Sequence, residues 1–193
     1  MTTALVRTAT TEAPILDVLA ERWSTRIFDA AAPIDEDALA SALEAARWAP
    51  TAANIQPWRV IVARRGTAAH ARITAALSGF NGAWAPAAGA LVVFVAETER
   101  DGQPLAWALY DTGQAAAHFT VQAHASGLAT HQMGGFDRDA VADAFELDAA
   151  LVPITVIAVG ALGDVAAASD ELQARESAPR TRRPVAESLL LDA

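Results

Sequence analysis

Two arginine clusters stand out in an otherwise acidic chain. Arg22 and Arg26 flank Ser24 in Arg22-Trp-Ser-Thr-Arg-Ile-Phe28, and Arg180-Thr-Arg-Arg-Pro184 puts Arg180 and Arg182 near the other end. The net charge is −9, and all 14 basic residues are Arg. If a helical turn persists past Glu21, Arg22 and Arg26 share a face, where like charges repel by roughly a few tenths of a kcal/mol. An anion between them would remove that repulsion, and a guanidinium fork suits the oxygens of a phosphate. The same residues also suit solvated arginines at a helix end, where cations oppose the macrodipole, and a solvated tail near residue 180.

Two further stretches could hold a ligand. In Pro50-Thr-Ala-Ala-Asn-Ile-Gln-Pro-Trp58, two prolines bracket Thr51, Asn54 and Gln56. This makes a stiff hydrogen-bonding loop, either a platform for a planar polar ligand or a connection whose polar side chains serve their own backbone. Gly134-Gly135 lets main chain approach a ligand closely. The usual catalytic patterns are missing. There is no phosphate-binding glycine loop of either standard kind, no G-x-S-x-G elbow and no Cys for a thiolate or a zinc site. His70, His118, His124 and His131 lack metal-ligand spacing. His118 and His124 read as buried, hydrogen-bonded or interface groups, and Asp111 beside Tyr110 reads as structural.

Those residues need a scaffold, and 193 residues can bury a core as one domain. The first 12 residues read as a loose leader and 14–21 as a short helix begun by Pro14. Pro33 to Ala49 reads as a helix with Leu39, Leu43, Ala46 and Trp48 on its apolar side. Arg59–Ala63, Ala90–Ala96 and Pro153–Gly160 read as buried strands. Thr67 caps a helix running to Leu77, and Asp137 caps one from Arg138 to Leu147. Residues 98–104 and 163–178 read as irregular. Ala106 to Ser126 is apolar or small on nearly every side, which predicts a buried central helix roughly 30 Å long, stopped by Gly127. Its neighbours are expected to include a second copy of the chain. The acidic balance argues against nucleic-acid or anionic-membrane surfaces. With no signal-like or membrane-length apolar run, a cytoplasmic protein is the expectation.

Read in order, ERWSTRIF, AARWAPTAANIQPWRVIVA, GLATHQMGGFD, PITVIAVG and RTRRP resemble the FMN-dependent nitroreductase family over residues 14–188. The resemblance implies an α+β fold with a mixed central sheet flanked by helices. It also implies an intimate homodimer with FMN at the subunit interface, and a C-terminal segment (180–193, chiefly near 186–191) reaching to the partner. By position, Arg22, Trp23, Ser24 and Arg26 match the segment that grips the phosphate and the pyrimidine edge, and Arg180 and Arg182 the second arm on the phosphate. Pro50, Thr51, Ala52 and Asn54 match the loop that touches the flavin of the other subunit. Asn81 matches a flavin-contacting Asn, and Gly134 and Gly135 match the backbone facing N5.

The activity so implied is hydride transfer from NADH or NADPH through the flavin to a nitroaromatic, quinone or similar conjugated acceptor, with no metal and no obligatory acid–base side chain. Flavin storage or sensing without turnover, and a phosphate-ligand domain without flavin, are the alternatives. Trp84 stands where some members carry Lys, and Ala52 lacks the hydroxyl that others offer. The short stretch Glu97–Leu105 implies a reduced lid over the site.

Overall fold

A computed structural model describes residues 7–191. Its centre is a four-stranded sheet in the order β1-β2-β6-β5. The inner strands, β2 (Ala90–Glu97) and β6 (Leu151–Gly160), are near-continuous apolar runs. Both of their faces are covered by helices, so neither face can be polar. Along β2, Leu91, Val93 and Val95 pack into one layer and Val92 and Phe94 into the other, as the alternation of side chains along a strand requires. The first layer holds α3 (Ala68–Ala76), α4 (Asn81–Trp84) and α6 (Arg138–Ala144). The second holds α2 (Glu36–Arg47) and α5 (Ala108–Ala125).

The fold is α+β, as expected, and its named strands pair antiparallel throughout. Among the described residues, the parallel component of the expected mixed sheet is a single bridge between Ser24 and Thr130. β1 (Trp58–Arg64) is half-buried rather than buried because it lies at an edge. The other edge, β5 (Ala129–Met133), was not expected as a strand. Its polar run Thr130-His-Gln132 hides the pattern, and β6 supplies the pairing. Residues 99–104 form a small hairpin of β3 (Glu99–Arg100) and β4 (Gln103–Pro104), turned by Asp101 and Gly102 at φ 52 and 74°, the backbone that tight hairpins favour.

The caps Thr67 and Asp137 are as expected, and Asp35 adds a third. Asp35, Thr67 and Asp137 each accept a hydrogen bond from a backbone N–H in the first turn of α2, α3 and α6. Three expectations change. The first helix, α1 (Asp17–Glu21), starts three residues beyond Pro14 and ends at Arg22, whose backbone is already extended. Trp48 caps α2 with 70% of its surface exposed instead of joining the core. Within 163–178, Ser169 caps α7 (Asp170–Ser177), a helix whose weak apolar content obscures it in sequence.

The long helix is shorter by two residues at its start than expected, and Gly127 follows its end at φ 83°. Ala115, Ala116, Phe119 and Ala123 bury one side. Trp107, just before the helix, and Leu109, Tyr110, Gly113, Ala117 and His118 are exposed. Within one chain, therefore, the expected burial all round is half met, and His118 is a surface residue. Of the supposed leader, residues 1–6 lie outside the described residues. From Arg7 onward it is tied down, with Ala9 N–H bonded to Ala20 O at 2.8 Å.

Candidate functional site

The segment after α1 carries the first arginines. The backbone leaves the helical region at Arg22, and Arg22, Ser24 and Arg26 border one cavity while Thr25 and Ile27 are buried. The bridge from Ser24 to Thr130 docks the segment along β5. His131 fastens it from beneath: its ring Nδ1 lies 2.8 Å from Thr25 O, so that nitrogen carries the proton and donates to the carbonyl. Burial holds the His131 pKa below its usual value, against the opposing pull of that hydrogen bond.

Arg22, Trp23, Ser24, Arg26, Arg180 and Arg182 all line one cavity of about 400 Å³. Arg7 and Arg175 line it as well, and sequence reasoning missed both. Arg7 donates to Ala178 O, while Arg180 donates to the carbonyls of Arg7, Ala20 and Arg22. These bonds place Arg180 where the N- and C-terminal segments meet. No carboxylate lies within ion-pair distance of Arg7, Arg22, Arg26, Arg180 or Arg182 among the described residues, whereas Arg47, Arg59, Arg64, Arg100 and Arg175 all have one. Burial, and then the neighbouring Arg182 charge, lower the Arg22 pKa. Burial and the charges of Arg22, Arg7 and Arg182 do the same to Arg180. The cluster is thus held together without its counter-charge.

The acid that organises this wall is Glu176, also missed in sequence. It is 1% exposed, and its carboxylate accepts from Trp23 Nε1 at 2.5 Å and from the Arg26 backbone N–H at 3.3 Å. It therefore positions the arginine segment without pairing to a guanidinium. The available signal was its spacing from Leu172, four residues earlier on α7, which puts both on one helix face.

Arg26 also borders a second hollow of about 420 Å³, next to Phe28 and Trp84. Trp84 is buried, with Phe28 stacked 6.2 Å away and His131 tilted 4.5 Å away, ring centre to ring centre. Its indole N–H is buried and has no acceptor among the described residues. Three residues earlier, Asn81 Nδ2 donates to Gly135 O at 3.0 Å. A Cβ on Gly135 would come within 2.8 Å of that nitrogen, while one on Gly134 would meet nothing within 4 Å. Gly135 packs against the Asn81 side chain, and Gly134 leaves its main chain open to an approaching group.

The loop residues lie elsewhere. Thr51 Oγ1 and Ala52 N–H both donate to buried Asp111, at 2.8 and 2.9 Å. Pro50 O accepts a weak bond from Gln114. Ala53, Asn54 and Gln56 hold φ of 48, 57 and 51°, strained values for residues with a Cβ. The loop is thus anchored at the start of α5, whereas the arginine segment reaches its end, where Trp23 meets His124 edge-on at 6.5 Å. Thirteen residues of helix separate Asp111 from His124, about 20 Å. One copy of the chain brings the arginines together but leaves Pro50, Thr51, Ala52 and Asn54 out of their cavity.

Comparison with known proteins agrees with this architecture. The sequence pattern of the nitroreductase family matches residues 19–81 and 78–161. A solved oxidoreductase containing FMN superposes with a TM-score of 0.86 at 29% identity, covering 94% of this chain and 93% of the other. A nitroreductase family protein from Clostridium difficile 630 gives a TM-score of 0.73 at 22% identity, over 94% and 99% of the two chains. An uncharacterized 15.4 kDa protein of Mycolicibacterium smegmatis is 37% identical over 131 residues, 64% of this chain and 88% of that one. Fold and sequence together place this chain in the nitroreductase family of oxidoreductases.

Proposed function

We propose that the chain is an FMN-dependent NAD(P)H oxidoreductase acting on nitroaromatic, quinone or similar conjugated acceptors. The observation that carries the reading is the group Arg7, Arg22, Arg26, Arg180 and Arg182 around one cavity, none of them within ion-pair distance of a carboxylate among the described residues. A phosphate supplies that missing charge, and Arg22, Arg26, Arg180 and Arg182 with Ser24 are the residues that would hold it. Asn81, Trp84 and the open main chain at Gly134 would meet the ring system. When bound, FMN supplies the hydride chemistry, and the protein supplies position and field. Arg26 favours any negative charge that develops beside it.

The superposed oxidoreductase contains FMN. A Bacillus subtilis protein that is 24% identical, over 81% of this chain and 92% of its own length, bears the name "Putative NAD(P)H nitroreductase YdgI". The first supports the cofactor and the second the reductant.

The same reading requires a homodimer. The strained loop and the arginine cavity lie at opposite ends of α5, so they can border one ligand only if a second copy brings its loop to the first copy's cavity. The exposed residues Trp107, just before α5, and Leu109 and Tyr110 on it, with Leu189 to Leu191 near the C-terminus, give that copy an apolar surface to cover. No helix among the described residues is long and apolar enough to cross a membrane, and we place the protein in the cytoplasm. The test is anaerobic: protein loaded with FMN should lose its yellow absorbance on addition of NADH or NADPH and regain it with an acceptor. Failure to bind FMN, or bound FMN left oxidised by both reductants, rejects the assignment.

A further inference from the structure

Both donors that Glu176 holds belong to residues of the arginine cavity's wall, but the acid itself does not line the cavity. It is 1% exposed, and both of its oxygens accept, one from the Trp23 indole and the other from the Arg26 N–H, as those of an ionised carboxyl do. Among the described residues no guanidinium lies within ion-pair distance of it. A buried charge without an ionic partner destabilises a fold, and its field is screened far less than that of a surface acid. The peptide between Thr25 and Arg26 is gripped at both ends, its carbonyl by His131 and its N–H by Glu176. The charge is also felt at His131, where burial lowers the pKa and Glu176 is one of the influences that oppose it.

We propose that the Glu176 carboxylate sets the electron affinity of the bound flavin, by offsetting part of the arginine field at the ring. The inference rests on the flavin reading above and adds a residue to the same site, one that acts through space from behind the wall. When nicotinamide gives up a hydride, two electrons and one proton pass to the flavin. The nicotinamide leaves with a positive charge, and the ring holds one negative charge until the acceptor takes the hydride from it and a proton from water. Arg26 favours that negative charge, and Glu176, bonded to the N–H of the same residue, opposes it. Removing the acid's charge therefore makes the flavin easier to reduce. A merely structural role has the opposite sign, because loss of the bonds to residues 23 and 26 lets Arg26 drift from the ring and makes reduction harder.

The test is the two-electron midpoint potential of the FMN-loaded protein, found by anaerobic equilibration with a reference dye, in the wild type and in Glu176→Gln, Glu176→Ala and Glu176→Asp. Fluorescence titration with oxidised FMN shows that each variant is folded and loaded. The proposal expects the two neutral variants to raise the midpoint by about 30 mV or more, equivalent to about a tenfold gain in affinity for reduced over oxidised flavin. Glu176→Asp keeps the charge and should hold that ratio within about threefold of wild type. A neutral variant that binds FMN with an unchanged or lower midpoint overturns the proposal. A tenfold change in the ratio for Glu176→Asp overturns it too, so a fold that tolerates only the acidic substitution still decides. If the wild type binds no FMN, the cofactor reading falls first, and this proposal with it.

Discussion

At the scale of single residues, the site is a balance between charges left without partners and one acid used to position them. Replacing Arg22 by Ala should weaken FMN binding by about 2 kcal/mol, about thirtyfold, if a charge-assisted contact is lost. A fluorescence titration decides this, and an unchanged affinity removes Arg22 from the site. Glu176 has a structural effect. Glu176→Ala leaves the Trp23 indole and the Arg26 N–H without their acceptor in a buried place and should cost about 1–3 kcal/mol in urea denaturation. Glu176→Gln keeps one acceptor oxygen and should recover part of that loss.

The two glycines should separate stability from binding. Gly135→Ala drives a methyl group against Asn81 and should lower the melting temperature. Gly134→Ala projects into open space, so it should leave the melting temperature alone and weaken flavin. If Gly134→Ala binds flavin like the wild type, the ring does not lie against that backbone.

Among elements, α5 is the strut to which both the strained loop and the arginine segment are referred. Its first turn holds Asp111, which fastens the strained loop through Thr51 and Ala52, and its last turn holds His124 against Trp23. Asp111→Ala should therefore free the loop and lower stability by about 1–3 kcal/mol, with Asp111→Asn milder. Thermal denaturation gives the stability. Flavin affinity should fall with it if the loop borders the ligand, and an unchanged affinity would leave the loop with a purely structural part. The hairpin over residues 99–104 belongs to the same unit. Arg100 bonds both Glu97 and Ile55 O, which ties the hairpin to the loop.

For the whole molecule, the prediction concerns pH. His70, His124 and His131 all have pKa values lowered from 6.5, in each case chiefly by burial. A base whose folded pKa is depressed binds more protons when unfolded. Stability is then complete above the unfolded value, near 6.5, and is lost as pH falls toward the folded values. Denaturant midpoints measured from pH 7.5 down to 5.5 should decline. A flat or rising profile would mean that the histidines charge as readily in the folded protein as in the unfolded one.

The chain by itself determined the elements whose signals are local. The apolar runs at Ala90–Ala96 and Pro153–Gly160, the caps Asp35, Thr67 and Asp137, and the stop at Gly127 all depend on neighbours a few residues away. The arginine motifs were legible for the same reason. Tertiary structure alone decided what depends on distant partners. β5 is a strand because β6 pairs with it, despite its polar run. Arg22 and Arg26 border one cavity although the helix stops before them, in a segment bridged to β5 at Ser24. Glu176 and Arg7 enter the site across more than 150 residues of chain, a separation that no short spacing can encode. Nearest-neighbour preferences are written in the order of residues, whereas burial and the convergence of charge arise only when the layers close on the sheet.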